Sequence, residues 1–280
     1  MRKATILFLS LLLLVGCSGN GNTNEEEYIT QARESLDNGD LPVAQINLKN
    51  ALKENPNSSE ARLMLGYLYL DVGNAPSAEK ELRRASELGE ADEAVIPSLA
   101  RALLQQNKFQ QVLELDTDAG FSNEAAAELL ASRGLAYLML GERDNAQREL
   151  DDALQKNPNS VYALVERARL SVSQRNFDEA RPYLDKAFEI NPDYEYAWSL
   201  LGNLNLFEGD IEAAIKAYTE AINKSKNANR DLMQRAMLFI QQKQYEQAQQ
   251  DIKQLKKSIA RHPKVNQLQC LVHISQEKIK

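Results

Sequence analysis

Apolar and small residues recur along the chain with a period of 34 residues, counted from Glu25 as position 1. Within each period, apolar side chains return every three or four residues, which is the spacing of one face of an α-helix. No stretch shows the sustained alternation of apolar and polar residues that a half-buried strand requires. The pattern therefore predicts an all-α protein made of stacked helical repeats, with no β-sheet.

Three columns of the repeat hold mostly small side chains, and position 24 holds larger apolar ones such as Leu48 and Tyr218. Two antiparallel helices approach closely only where the side chains at their crossing are small. We expect the larger residues to fill the space between the helices. The columns are position 8 (Ala32, Gly66, Ala100, Gly134, Ala168, Gly202, Ala236), position 20 (Ala44, Ala78, Val112, Ala146, Ala180, Ala214, Ala248) and position 27 (Ala51, Ala85, Ala119, Ala153, Ala187, Ala221, Leu255).

Turn-forming residues occupy two further columns. Glycine at position 15 predicts a left-handed residue that ends the first helix of a pair. Proline after asparagine at position 32 predicts the end of the second helix. The residues are Gly39, Gly73, Gly141 and Gly209 at position 15, and Pro56, Pro158 and Pro192 at position 32.

This arrangement resembles the tetratricopeptide-repeat (TPR) family, and the sixth repeat, which contains Trp198, Gly202 and Tyr218, matches it best. The resemblance implies a right-handed superhelical solenoid of about seven helix-turn-helix repeats over residues 25–280. The third repeat has no closing proline, and we expect Thr117–Asn123 to form an irregular second helix or a loop. The repeats start near 25, 59, 93, 127, 161, 195 and 229, and a terminal helix at 263–280 either caps the solenoid or marks a shortened form of a longer protein.

The first residues have the organisation of a bacterial lipoprotein leader. A basic start precedes an apolar run from Ala4 to Val15, which is short for a membrane-spanning helix. Leu14–Cys17 resembles a lipobox, which implies a signal peptide at 1–16, a lipid on Cys17 and a polar tether at 17–24. The alternative is an ordinary secretory leader with an accidental cysteine. Ser18, rather than aspartate, follows the cysteine and favours the periplasmic face of the outer membrane.

Five segments resemble a narrower group, the TPR lipoproteins of PEP-CTERM/exosortase systems in Gram-negative bacteria. That resemblance implies a role in protein sorting or exopolysaccharide export, although members of the group are usually much longer. The segments are Leu48–Leu52, Ala78–Ala85, Leu99–Leu104, Phe109–Leu113 and Arg133–Tyr137.

Composition narrows the choice of partners. The formal net charge is −7, and removal of Arg2 and Lys3 with the leader would make it −9. An acidic body is repelled by phosphate backbones, so nucleic acid is not an expected partner. Once Cys17 carries lipid, Cys270 has no cysteine to pair with, and its place at position 8 predicts a buried packing role.

Residue types that perform chemistry are sparse. His262 and His273 are expected at the surface, and neither has a cysteine or histidine neighbour at metal-ligand spacing. No glycine-rich phosphate loop precedes a strand, and no nucleophile elbow is present. We therefore expect no enzyme activity, no cofactor and no metal site.

The first helices of TPR-like repeats line a concave groove. Apolar residues at groove-facing positions of the later repeats predict a surface for a protein or peptide partner. The alternative is that about half of these residues pack against the neighbouring repeat. The groove candidates are Leu138, Tyr162, Val165, Arg169, Asn203, Phe207, Met233 and Met237.

Arginine recurs at position 9, as Arg33, Arg101 and Arg169, in an otherwise acidic chain. Such a ladder could bind an acidic peptide or a uronate polysaccharide. Local pairing, for example of Arg169 with Glu166 three residues earlier, is the preferred interpretation. The residues of a carboxylate clamp for chaperone tails are missing, since only Asn203 fits.

The leading hypothesis is an exosortase-linked or exopolysaccharide-linked scaffold, and the alternative is a pilotin-like lipoprotein for type IV pilus or secretin assembly.

Overall fold

The computed structural model describes residues 22–116 and 120–277, and these residues form helices without any strand. Every odd-numbered helix up to α13 packs against the even-numbered helix that follows it. The helices are α1 Asn22–Asp37, α2 Leu41–Glu54, α3 Ser59–Asp71, α4 Ala75–Glu87, α5 Asp92–Gln105, α6 Phe109–Leu113, α7 Asn123–Leu140, α8 Arg143–Lys156, α9 Val161–Ser173, α10 Phe177–Ile190, α11 Glu195–Glu208, α12 Ile211–Lys224, α13 Asn229–Gln241, α14 Tyr245–Ile259 and α15 Pro263–Glu277.

The predicted fold class is confirmed: in the described part of the chain, seven helix pairs and a final helix form a solenoid. The first helices of the second, fifth, sixth and seventh repeats begin at 59, 161, 195 and 229, as the 34-residue period predicts. Those of the first and fourth repeats begin a few residues early, at Asn22 and Asn123.

The small-residue columns lie at the helix crossings. All described alanines at positions 8, 20 and 27 are fully buried. A Cβ atom added to Gly66 would lie 2.7 Å from Cγ of Leu82, and one added to Gly202 would lie 2.6 Å from Cε1 of Tyr218. The residue at position 8 must therefore be small, because the side chain at position 24 of the same repeat packs directly against it.

The turn at position 15 is left-handed in all seven repeats, including three that lack glycine. The four predicted glycines have φ between 73° and 86°. Asn107, Arg175 and Lys243 occupy the same position with φ of 58°, 60° and 59°. The geometry of the turn is thus imposed by the repeat even where the residue type opposes it.

We expect Arg175→Gly to raise the free energy of unfolding by about 0.5–1 kcal/mol, because glycine removes the steric cost of the left-handed conformation. Urea unfolding followed by circular dichroism measures the change. Gly209→Ala is the matched reverse substitution, and it should destabilise the protein. If Arg175→Gly lowered stability, the contacts of the arginine side chain would outweigh its backbone strain.

The third repeat is irregular, as predicted. Its second helix, α6, has only five residues, and residues 114–116 and 120–122 are not helical. Leu113, Leu115 and Phe121 nevertheless pack against the core. Ala119, the position-27 residue of this repeat, lies outside the described residues.

The interpretation of Cys270 as a buried packing residue is wrong, because its thiol is exposed. A position-8 residue is covered by the second helix of its own repeat, and the described residues contain no helix after α15. His262 and His273 are exposed, as expected.

Arginines that form ion pairs occupy position 7 in three repeats, where the second, third and sixth repeats have leucine. Arg133 meets Glu149 at 3.0 Å, Arg167 meets Asp151 at 2.9 Å, and Arg235 meets Asp251 at 2.6 Å. In the last pair both side chains are buried, with 13 % and 2 % of their surface exposed. The apolar periodicity gave no indication of these pairs.

The proposed leader, Cys17 and most of the tether lie outside the described residues, so they remain sequence predictions. Among the described helices, none combines the length and the apolar character needed to span a bilayer.

Candidate partner-binding groove

The first helices of the repeats line an inner surface with three adjoining cavities. Their volumes are about 700, 360 and 440 Å³, and we call them the first, second and third cavity. Residues of α5, α9 and α11 line the first and second cavities, and residues of α5, α7 and α9 line the third. Arg101 and Tyr194 border all three, so the cavities meet at these two side chains.

A contact between distant repeats borders the first cavity. Lys226, in the loop after α12, donates a hydrogen bond of 2.6 Å to Oδ2 of Asp71 at the end of α3. The side chain of Asn227 lies against Gly73, where it leaves no room for a Cβ atom. The curvature of the solenoid thus brings the second repeat to the loop between the sixth and seventh.

Aromatic rings surround Arg101 at the junction of the cavities. Its guanidinium carbon lies 5.9 Å from the ring centroid of Tyr162, within cation–π range. The rings of Tyr194 and Tyr196 lie 5.5 Å apart with their planes tilted by 56°. The hydroxyl of Tyr162 accepts a hydrogen bond of 3.3 Å from Ser132.

The arginines of position 9 differ in how they are paired. Arg169 donates a hydrogen bond of 2.6 Å to Glu166, which confirms the local pairing predicted for it. Arg33 pairs with Glu60 of the next repeat. Among the described residues, the guanidinium groups of Arg101 and of neighbouring Arg230 have no hydrogen bond or ion pair.

Burial changes the proton affinity of groups on this surface. It raises the pKa of Tyr162 and of Tyr194, so both hydroxyls stay neutral at physiological pH. It also raises the pKa of the Glu128 carboxyl, although the positive charge of Arg101 opposes that effect. For Arg101, burial acts to lower the pKa, but the surrounding tyrosines, Tyr194 first, and the carboxyl of Glu128 together raise the pKa above its ordinary value, and the guanidinium stays charged.

Three of the eight groove candidates line the cavities: Tyr162, Arg169 and Asn203. Asn203 lies beside the first cavity and accepts a hydrogen bond of 2.8 Å from the hydroxyl of Tyr218. This contact links the groove to the buried position-24 residue of the sixth repeat.

The other candidates lie elsewhere, which agrees with the alternative that part of the set packs between repeats. Val165 is fully buried against the core between α9 and α11, so its place in an open groove is wrong. Leu138, Met233 and Met237 are half-buried beside core residues. Phe207 is 62 % exposed but stacks on Phe177 of α10 with a centroid separation of 6.3 Å.

Sequence reasoning missed Tyr194, Gln105 and Arg230 as groove residues. Tyr194 lies at the last position of the fifth repeat, just before α11, where the helix-face pattern makes no prediction. Its only sequence signal is the closely spaced pair Tyr194 and Tyr196.

Among the described residues, no group of histidine, cysteine, aspartate and glutamate is arranged to hold a metal ion.

Two models of the tetratricopeptide repeat match the chain, one at residues 35–96 and 137–204 and the other at 196–223. The human tetratricopeptide repeat protein 6 is 26 % identical over 55 % of this chain, which spans only 29 % of that protein. The type IV pilus assembly protein PilF of Pseudomonas aeruginosa is 23 % identical over 65 % of this chain and 78 % of its own length. The cellulose synthase operon protein C of Xanthomonas axonopodis is 25 % identical over 72 % of this chain and 14 % of its own length.

Two solved structures share the fold. A tetratricopeptide repeat protein from Parabacteroides merdae has a TM-score of 0.59 at 21 % identity and covers 89 % of this chain and 99 % of its own. The structure of Pseudomonas aeruginosa PilF has a TM-score of 0.51 at 20 % identity and covers 72 % of this chain and 92 % of its own.

Proposed function

Because the chain belongs to the tetratricopeptide-repeat family, we propose that it is a lipid-anchored scaffold of type IV pilus or secretin assembly whose inner groove binds a partner protein. TPR solenoids bind other proteins, and the groove is the concave surface that such solenoids use. The observation that carries the proposal is the arrangement of three adjoining cavities around Arg101 and Tyr194. We propose no catalytic role.

The pilus assignment rests on the similarity to PilF, which extends over most of that protein's length. A second candidate is a scaffold for exosortase-linked sorting or exopolysaccharide export. The five TPR-lipoprotein-like segments and the similarity to a protein of a cellulose synthase operon favour it. Both candidates place the chain in the bacterial envelope and differ only in the partner.

Anchoring through Cys17 at the periplasmic face of the outer membrane is part of the proposal. We expect Cys17→Ser to abolish metabolic labelling with palmitate and to move the protein from the membrane fraction to the soluble fraction, because several acyl chains are needed for durable anchoring. Cys270→Ser is the matched control and should change neither property. Unchanged labelling in Cys17→Ser would contradict lipidation at this residue.

Photo-crosslinking in cells tests the groove and identifies the partner. A benzophenone amino acid replaces Met139, which is 55 % exposed and lines the second cavity. The matched control replaces Ile46, which is 58 % exposed on the second helix of the first repeat. Adducts from position 139 that contain a secretin or pilus protein, and that are absent from position 46, would support the pilus role.

Adducts from position 139 to exosortase or polysaccharide-export proteins would favour the second candidate. Adducts from position 46 alone would contradict binding in the groove. Mass spectrometry of the crosslinked band gives the identity of the partner in each case.

A further inference from the structure

The second cavity has the opposite charge to the chain as a whole. Its charged lining consists of three arginines, Arg101, Arg169 and Arg230, and one carboxylate, Glu166. Glu166 is engaged by Arg169 at 2.6 Å. In a chain with a net charge of −7, this part of the groove therefore attracts an anion.

Arg101 is the arginine whose setting points most directly to a ligand. Its guanidinium group lies beside the ring of Tyr162 and has no hydrogen bond or ion pair among the described residues. A guanidinium has five N–H donors in a fixed fork that matches a carboxylate. Glu128 acts on this charge only from a distance, without a direct contact, so an incoming carboxylate would supply the hydrogen bonds that the guanidinium lacks in the free protein.

The rest of the second cavity is apolar. Leu104, Phe109, Leu135 and Met139 line it next to the tyrosines. Its volume of about 360 Å³ suits a small group rather than a folded element. A ligand that fills it presents an apolar side chain close to its carboxylate, which a uronate polysaccharide does not.

The cavities continue past Arg101 on more than one side, because Arg101 and Tyr194 border all three. This continuity suits a chain segment that passes the junction, with further residues of the ligand on either side. A carboxylate at this point then comes from an aspartate or glutamate side chain inside the segment.

We propose that Arg101, with Tyr194 and Arg230, binds an acidic side chain that stands next to an aromatic or aliphatic residue in an extended peptide segment of the partner. This inference rests on the proposed function, since it specifies the chemistry that the same groove recognises. Arg101 binds the carboxylate, and the apolar wall of the second cavity takes the neighbouring side chain.

The test is a selection of random twelve-residue peptides on the full chain in mild detergent. We expect enrichment of aspartate or glutamate directly beside phenylalanine, tyrosine, leucine or methionine. The same selection on Arg101→Gln should lose the acidic residue and keep the apolar one. Arg143→Gln, at an exposed arginine on the outer helix α8, is the matched control and should select the same peptides as the unaltered chain.

Affinities of one selected peptide then give the size of the effect. We expect Arg101→Gln, or asparagine in place of the peptide's aspartate, to weaken binding about tenfold or more. The two changes together should weaken it no further than either alone, because they remove the same contact. The affinity of Arg101→Lys should lie between those of the unaltered chain and of Arg101→Gln, because lysine keeps the positive charge but lacks the forked guanidinium group.

Three results would overturn the inference. Peptides without an acidic preference would show that the groove binds apolar segments and that Arg101 has no part in recognition. Trigalacturonate that binds the chain, and binds Arg101→Gln less well, would assign the site to a polysaccharide if no acidic peptide competed with it. Failure to select any peptide would also overturn it, while the crosslinking at position 139 separately decides whether the groove binds a partner.

Discussion

Asp251→Ala should lower the free energy of unfolding by about 3–5 kcal/mol, because it leaves the buried charge of Arg235 without its partner. Both nitrogens of the fork contact this carboxylate, at 2.6 and 3.0 Å, and the Asp251 side chain is only 2 % exposed. The remaining contacts of the guanidinium, a hydrogen bond of 2.9 Å to the hydroxyl of Thr219 and the ring of Phe239 with its centroid at 5.6 Å, cannot neutralise the charge. Urea unfolding monitored by circular dichroism measures the loss.

The double variant Arg235→Leu with Asp251→Leu should recover most of that loss. Leucine occupies position 7 in the second, third and sixth repeats, as Leu65, Leu99 and Leu201, so the fold accepts an apolar residue there. Glu87→Ala is the control, because it removes an exposed ion pair with Arg84 and should cost about 1 kcal/mol or less. A small effect of Asp251→Ala would show that water or a neighbouring carboxylate compensates Arg235.

Gly202→Ala should destabilise the protein by about 1–3 kcal/mol, although alanine is the better helix former by about 1 kcal/mol. A Cβ atom at this position would lie 2.6 Å from Cε1 and 2.9 Å from Cζ of Tyr218, a fully buried ring that cannot swing aside. The hydroxyl of Tyr218 is also held by Asn203 at 2.8 Å. Thermal unfolding of the single variant gives the sign of the effect.

Tyr218→Leu in the Gly202→Ala background should restore part of the stability. The fifth repeat already combines Ala168 at position 8 with Leu184 at position 24, and both are buried. Tyr218→Leu alone should be destabilising, since it leaves a cavity beside glycine. If Gly202→Ala proved stabilising, the contact between positions 8 and 24 would not be what keeps position 8 small.

The repetitive part of the fold follows from the sequence because the two helices of every repeat pack against each other in the same way and need the same kinds of residue at the same positions. The small residues at positions 8, 20 and 27 and the four glycines at position 15 are local requirements, and they recur with a period of 34 residues. The ion pair of Arg235 with Asp251 occurs within one repeat but replaces an apolar contact by a polar one. The hydrophobic periodicity of the sequence does not reveal where an ion pair replaces an apolar contact.

The groove is less predictable, because it depends on how successive repeats are rotated. Val165 and Tyr162 lie three residues apart on α9, yet the first is fully buried and the second lines the groove. The contact of Lys226 with Asp71 joins residues 155 positions apart and arises only from the accumulated curvature. Tyr194, at the boundary between two repeats, enters the site for the same reason.

The most direct measurement is the affinity of the crosslinked partner, or of the segment that is captured, for Gln105→Trp. Gln105 is exposed and lines the first and second cavities, so an indole there should fill the groove without disturbing the core. Gln147→Trp, at an exposed position on the outer helix α8, is the matched control. We predict a loss of affinity of at least about tenfold for Gln105→Trp and no change for Gln147→Trp. Equal affinities, with circular dichroism spectra unchanged, would contradict the assignment of the inner groove as the partner-binding surface.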